Sequence, residues 1–509
     1  MVFLALVALL IVAALLRREF LGDGVRHLPA VLSDHLQFGE PRWVLFPAIA
    51  HLWIQALSRL GLVSGSESAL EAMLALSVAS GVLFLAAIRV WLRHDCKDAD
   101  RRSAALLLAG GCAPVLILFS DIAEPQLAAA VLVAGLAYAR IHRDDPIHAR
   151  SAALWAVGLI AVASLIYQGT ILALGMLPLV VSGNHVSRRQ LVIAAVCAVV
   201  AVGLAMTIIQ VSSGASTASA IATVVGGEQN PLTRSLMGSH SLSKYLVAAI
   251  AGPPQGIVAL DSYGGLRALA AALQSANRQI AASAARNLAG LLSGLVVTAM
   301  LVVTGVRQRQ WRVLIAAAIL LTLPIVRNQQ YGYVKFYVLW PIPVALVASR
   351  CTARTTAAAA SFVLALNLWV VGGELLRGRE NSRVARAAYA TATPATCWLT
   401  SGWTPPFAYL WPGTATPILG ILATGSRPEI QRQVLTTSLK RCFCESDAVW
   451  TDSTSRDAAI VQSIASHFNY DRYVLSRVLL DPLGAMPSPQ PGILQYESSA
   501  RQQVCQAIP

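Results

Sequence analysis

Residues 191–211 read LVIAAVCAVVAVGLAMTIIQV, a run with no charged side chain. At about 1.5 Å per helical residue this reaches across a hydrocarbon core of roughly 30 Å. Inside lipid such a run satisfies its own backbone polar groups only as a helix. Apolar runs of similar character recur near 1–16, 69–92, 103–119, 124–140, 149–166, 170–184, 190–211, 287–306, 312–326, 334–349 and 355–373. The pattern predicts a polytopic α-helical membrane protein with about eleven transmembrane helices. Composition agrees: 56% of the 509 residues are hydrophobic and 13% are charged.

Basic residues fall on alternate links. Arg89, Arg93, Lys97, Arg101 and Arg102 form one group, and Arg140 with Arg143 a second. Arg188 with Arg189, then Arg307, Arg309 and Arg312, then Arg350 and Arg354 complete the series. By the positive-inside rule these links are cytoplasmic, which makes the N-terminus cytoplasmic and puts loops 17–68 and 212–286 outside. Arg17 and Arg18 break the rule locally, and five later links outvote them. The run Trp43–Leu62 contains Pro47, His51, Gln55 and Arg59, and counting it as a span would invert every later link. It is expected to lie along the outer interface as an amphipathic helix.

Much of the excess behind the net charge of +14 sits in these links, so nucleic acid is not an expected partner. No Gly-rich phosphate loop, HExxH or GxSxG motif is present. The spans carry almost no ionisable residue near their centres and show no internal repeat, which argues against a pump or transporter. Chemistry is therefore expected on the external face.

Beyond residue 373 the character changes. GELLRGRENSRVARAAYA reads as a polar helix, CWLTS as a strand, RPEIQRQVLTTSLKRC as a helix, DAVWTD as a strand and SRDAAIVQSIASHF as a helix. Residues 374–509 are thus expected to form a small external α/β domain beside a membrane module spanning 1–373. Cys397, Cys442, Cys444 and Cys505 are an even set confined to it. An exported domain can hold disulfides, with Cys397 and Cys505 each taking one of Cys442 and Cys444. One C-x-C pair does not make a tetrahedral zinc site. Cys96, Cys112, Cys197 and Cys351 are scattered in or beside the spans and read as reduced.

Three external stretches carry the polar chemistry: REFLGDGVRHLPAVLSDHL after the first helix, SDIAEPQ at a later helix start, and RNQQYGYVKFYVLWPIP entering a late span. A short first helix followed by an external loop that opens on an acidic residue, with these two later clusters, resembles the GT-C superfamily of membrane glycosyltransferases. Similar in pattern are the polyprenyl-phosphate-sugar enzymes, such as the aminoarabinose transferase of lipid A and the protein O-mannosyltransferases. The resemblance covers roughly residues 1–350.

The resemblance implies a bacterial inner membrane enzyme that moves a sugar from a polyprenyl-phosphate donor to a glycan, lipid or protein acceptor. Asp23 matches the acidic residue on which the family's chemistry turns, although Gly24 replaces the second acid often found there. An inverting transfer needs a carboxylate to orient and deprotonate the acceptor hydroxyl. Arg26, His27, Asp121, Glu124, Arg327, Tyr333 and Lys335 are the candidate substrate-binding residues. A divalent cation is a candidate cofactor, because His and Asp suit one as well as a donor phosphate.

Each candidate also has a plainer structural reading. Asp23 and Gly24 can form a turn, Asp121 and Glu124 suit the first turn of any helix, and Tyr333 with its aromatic neighbours suits an interfacial belt. Asp34 and His35 read as a solvated helix face. Two other functions stand beside the transferase: a ligase or polymerase using a diphosphate-linked donor, and a noncatalytic lipid transporter or scaffold.

Overall fold

The structure is a computed structural model. It describes residues 1–17, 27–38, 44–122, 124–177, 183–212, 278–327, 338–391, 393–400, 415–417, 428–452, 485–487 and 493–508, with a few isolated positions between them. The chain divides into two compact units, the first ending at Leu376 and the second starting at Arg377.

In the first unit α1 covers Val2–Leu16, α2 Leu28–Val31, α3 Phe46–Arg59 and α4 Ser66–Asp95. Then come α5 (Ala99–Gly110), α6 (Ala113–Leu118), α7 (Pro125–Ile141) and α8 (Ala149–Ile166). A 3₁₀ segment, Gln168–Met176, precedes α9 (Arg188–Ser212), α10 (Arg278–Arg307), α11 (Trp311–Arg327), α12 (Pro341–Ala348) and α13 (Ala353–Thr391). Among the described residues, five helices are long and apolar enough to cross a membrane, within α4, α8, α9, α10 and α13; α1 and α7 are shorter apolar helices.

Most expected runs are helical, and the departures have local causes. The run at 103–119 is two helices, α5 and α6, parted at Gly111 and Cys112, with Pro114 in the first turn of α6. Proline lacks an N–H to continue the ladder, so it sits where a helix begins. The break leaves the Gly111 carbonyl unused by the helix, and the Asn367 side-chain amide of α13 donates to it at 2.7 Å. Ser293 of α10 donates in turn to Asn367 at 3.0 Å, and both side chains are fully buried. The run at 170–184 begins as the 3₁₀ segment QGTILALGM, whose two glycines weaken an α-helix. Of the run at 334–349, the described helix is α12, eight residues opening on Pro341.

Helix α3 has 14 residues, about 21 Å, too short to span a membrane. It buries Phe46, Ala50, His51 and Ile54 and exposes Leu52, the two-sided pattern expected of a helix that lies along an interface. Helix α1 is fitted closely against α4. A Cβ added to Gly81 of α4 would lie 2.8 Å from Phe119 Cβ and 3.0 Å from a methyl of Leu10, so only glycine admits this approach.

The second unit contains a five-stranded sheet: β1 Thr396–Thr400, β2 Ala415–Pro417, β3 Ala448–Asp452, β4 Ala485–Pro487 and β5 Ile493–Tyr496, in the order β2-β1-β3-β5-β4. The β2, β1 and β3 strands are parallel, with Trp398 opposite Trp450, while β5 runs antiparallel to both β3 and β4. Among its described residues are two further helices, α14 (Pro428–Lys440) and α15 (Ser498–Ala507), besides the end of α13 beyond Leu376. The two strands read from sequence are β1 and β3. The short strands β2, β4 and β5 and the helix α15 escaped that reading, and the expected helix at 455–468 lies outside the described residues.

A π turn at Arg441–Glu445 continues α14 and carries both central cysteines. Cys397 of β1 is bonded to Cys442, and Cys444 to Cys505 of α15. The C-x-C spacing thus ties the turn to a strand by one cysteine and to the last helix by the other. Phe443 between them packs edge-on against Tyr496, with ring centroids 5.1 Å apart.

Candidate functional site

Where α1 ends and α7 begins, a set of polar side chains is buried together. Arg17, the C-cap of α1, is 5% exposed, and Ser120, Asp121, Glu124 and Gln126 are each at 1% or less. The Arg17 guanidinium lies 3.5 Å from Asp121 Oδ2, donates to Ser120 Oγ at 3.1 Å and reaches the Ile117 carbonyl at 3.4 Å. Asp121 also accepts from the Ile122 N–H at 2.7 Å. Gln126 donates to the carbonyls of Leu118 and Asp121 at 2.7 and 3.3 Å, fixing the turn between α6 and α7.

His27, just before α2, is 8% exposed, and its Nε2 lies 3.1 Å from Glu124 Oε1. Its ring packs on Phe46 of α3, centroids 5.5 Å apart. His51 of α3 holds the Val31 carbonyl at the end of α2 at 2.9 Å. The aromatic packing and the His51 bond anchor α2 and α3 beside the cluster.

Local sequence accounts for the placement. Pro125 starts α7, which makes Glu124 its N-cap, where the positive end of the helix dipole favours an acid. An ordinary N-cap, however, would turn its side chain back onto the backbone of the first turn. Glu124 makes no such bond and is turned to His27. Helix capping therefore does not explain this carboxylate. In the first unit, Arg17 Nε, Glu124 Oε2, Gln126 Oε1 and Trp340 Nε1 are buried with no hydrogen-bond partner among the described residues. Three of these four atoms belong to this one cluster. Buried polar atoms are rarely left unpaired, so such a concentration calls for an explanation.

Of the residues singled out from sequence, His27, Asp121 and Glu124 are brought together. Asp23, Arg26, Tyr333 and Lys335 lie outside the described residues, as does the side chain of Arg327, the last residue of α11. Asp34 and His35 are exposed but sit in bends after α2, not on a helix. Trp340 is 1% exposed at the N-cap of α12, so it is no part of a lipid-facing belt. Sequence reading missed Arg17 as a site residue. The signal was its violation of the positive-inside rule: a guanidinium neutralised by Asp121 inside the protein does not act as a free positive charge.

For a metal, His27 and Glu124 supply two donor residues. Among the described residues, three ligand groups converge only at His142, Asp145 and His148, on the link between α7 and α8, at the other end of α7 from Glu124. There Asp145 accepts from His148 Nδ1 at 2.8 Å and from the N–H groups of Ile147 and His148. These bonds, the His148 side chain first, lower its carboxyl from 3.8 to about 2.

This arrangement of helices has counterparts among solved structures, and the likeness is one of fold. Among solved structures, the chain is similar to ArnT from Cupriavidus metallidurans bound to undecaprenyl phosphate, at 15% identity and a TM-score of 0.50 over 98% of each chain. The apo state of ArnT gives 16% identity and a TM-score of 0.45 over the same shares. An oligosaccharyltransferase from Archaeoglobus fulgidus in complex with Zn and sulfate gives 12% identity and a TM-score of 0.42, covering 93% of this chain and 70% of that one. No family model matches the sequence, and no curated protein matches it.

Proposed function

We propose that the chain is an inner-membrane glycosyltransferase that moves a sugar from a polyprenyl-phosphate donor to an acceptor on the extracytoplasmic face. The observation that carries the reading is the buried cluster of Arg17, His27, Asp121 and Glu124, with polar atoms left over for a ligand. The likeness of fold to ArnT, a protein solved with undecaprenyl phosphate bound, supports the donor class. The alternating basic links support an N-terminus in the cytoplasm, and the two disulfides support an oxidising compartment for the C-terminal unit.

Asp23 acts as the base. Its place in sequence lies between Arg17 and His27, both of which are held at the cluster. The Asp23 carboxylate takes the proton of the acceptor hydroxyl as that oxygen bonds to the anomeric carbon. The bond from the anomeric carbon to the donor phosphate oxygen breaks on the opposite face, which inverts the configuration. The electron pair leaves with the polyprenyl phosphate, whose charge Arg327 and Lys335 stabilise, with Arg26 and Tyr333 placing the headgroup. Glu124 and Asp121 hold His27 and Arg17 in position for the sugar. His27 and the spare oxygen of Glu124 are the described groups that would hold a divalent cation, whose contribution would be to offset phosphate charge.

The test is Asp23→Asn in the purified chain with a polyprenyl-phosphate sugar. It is expected to lower transfer by roughly 10²-fold or more while leaving expression and thermal stability unchanged. Transfer within a few-fold of wild type would remove Asp23 from the chemistry.

A further inference from the structure

The first helix has a second polar end. Around its start, opposite to Arg17, Phe3, Arg89, Arg93, Arg102 and Ser103 line a pocket of about 120 Å³. It lies roughly 20 Å along the helix from the Arg17 cluster, since α1 has 15 residues. The pocket gathers three guanidinium groups, and no acidic side chain is among its lining residues.

Two neighbouring acids, Asp95 and Asp98, are engaged elsewhere. Asp95 is bonded to Arg140 and Trp91. Asp98 caps α5 through the N–H groups of Asp100 and Arg101 and pairs with the Arg101 side chain at 3.2 Å. Among the described residues, neither Arg89 nor Arg93 has an ion-pair partner. Arg89 stacks over the Phe3 ring with its guanidinium carbon 5.0 Å from the centroid, and Arg102 donates to the carbonyls of Cys96 and Lys97. The first turn of α1 has no side-chain cap, so its free N–H groups and the positive end of its dipole add to the same field.

Topology requires basic residues on this link, but it does not require them to converge on one pocket. Converging cations repel unless an anion sits among them. We propose that this pocket binds the phosphate of an anionic phospholipid headgroup. Guanidinium groups match phosphate by paired hydrogen bonds, and the helix start offers further donors. A lipid is favoured over free phosphate because the same elements present apolar side chains outward beside the pocket: Leu4 is 68% exposed and Val90 45%. Acyl chains can lie along them while the headgroup enters between the arginines. The site is independent of the catalytic reading, being built at the other end of α1.

Native mass spectrometry of the full chain, titrated with phosphatidylglycerol or phosphatidylcholine, tests this. One phosphatidylglycerol per chain is expected to be retained and phosphatidylcholine lost. Arg93→Gln with Arg102→Gln should weaken retention about tenfold or more, and Arg93→Lys only slightly. Arg188→Gln with Arg189→Gln removes equal charge from the exposed start of α9 and should change nothing. Equal weakening by both glutamine pairs, or no selectivity for the anionic lipid, would overturn the pocket in favour of topology alone. A calorimetric titration with inorganic phosphate is the second arm, and binding as tight as the lipid's would overturn the lipid assignment. Thermal melts of each variant exclude misfolding as the cause.

Discussion

The ion pair between Arg17 and Asp121 gives the sharpest quantitative test of the cluster. The two side chains are 4% and 2% exposed, so both charges have left water. Replacing Arg17 by methionine keeps much of the volume and removes the pair at 3.5 Å together with the bonds to Ser120 and the Ile117 carbonyl. Breaking one partner of a buried pair costs about 3–5 kcal/mol, mostly because the other charge stays behind. Asp121 still accepts from the Ile122 N–H, and Ser120 still donates to the Leu116 carbonyl at 2.7 Å, so the lower end of that range, about 3 kcal/mol, is expected. Asp121→Leu should cost a similar amount by stranding the guanidinium. The double variant strands neither charge and should cost about 1 kcal/mol or less, well below the sum of the singles. Equilibrium unfolding of all four proteins in mixed micelles measures the cycle. If the double variant costs the sum of the singles to within about 0.5 kcal/mol, the pair is not an energetic unit and the argument fails.

Three further outcomes are expected. Arg327→Ala should raise the donor concentration needed for half-maximal transfer more than the acceptor concentration, and Lys335→Arg should be milder than Lys335→Ala because the charge survives; donor titrations that leave both alanine variants unchanged would remove the phosphate role. Nonreducing peptide mapping should recover Cys397 with Cys442 and Cys444 with Cys505 and leave Cys96, Cys112, Cys197 and Cys351 alkylatable after denaturation. Asp145 is held near 2 against an ordinary 3.8, so its contribution is present above pH 4 and lost as pH falls through about 2; the Asp145→Asn variant should show a flatter acid limb in thermal melts over that interval.

The helical architecture was legible because lipid imposes one rule, a long apolar run, on every span. The places where it was not are those where tertiary contacts replace the helix's own bonds. Gly111 and Pro114 were visible, but whether their break is tolerated depends on Asn367, a partner on a distant helix. In the second unit, β1 and β3 were readable from apolar alternation, whereas β2 and β4 have three residues each and exist through their neighbours. His27, Asp121 and Glu124 were legible by residue type and position. Arg17 was not, because a buried pair is a statement about two segments at once, and the sequence shows each segment separately.

The hydrogen bond that closes the α5–α6 break joins residues 256 positions apart. At about 5–20 residues per second, synthesis of that interval takes roughly 13–50 s. During this delay α5 and α6 are already made, yet the amide that will satisfy the Gly111 carbonyl has not emerged from the ribosome. An orphan carbonyl in hydrocarbon costs several kcal/mol, so the early helices have reason to wait in a hydrated or translocase-shielded state. A chain truncated before Asn367 should therefore remain sensitive to membrane quality-control proteases even though helices α1 to α12 are complete, and that sensitivity should fall once α13 is added.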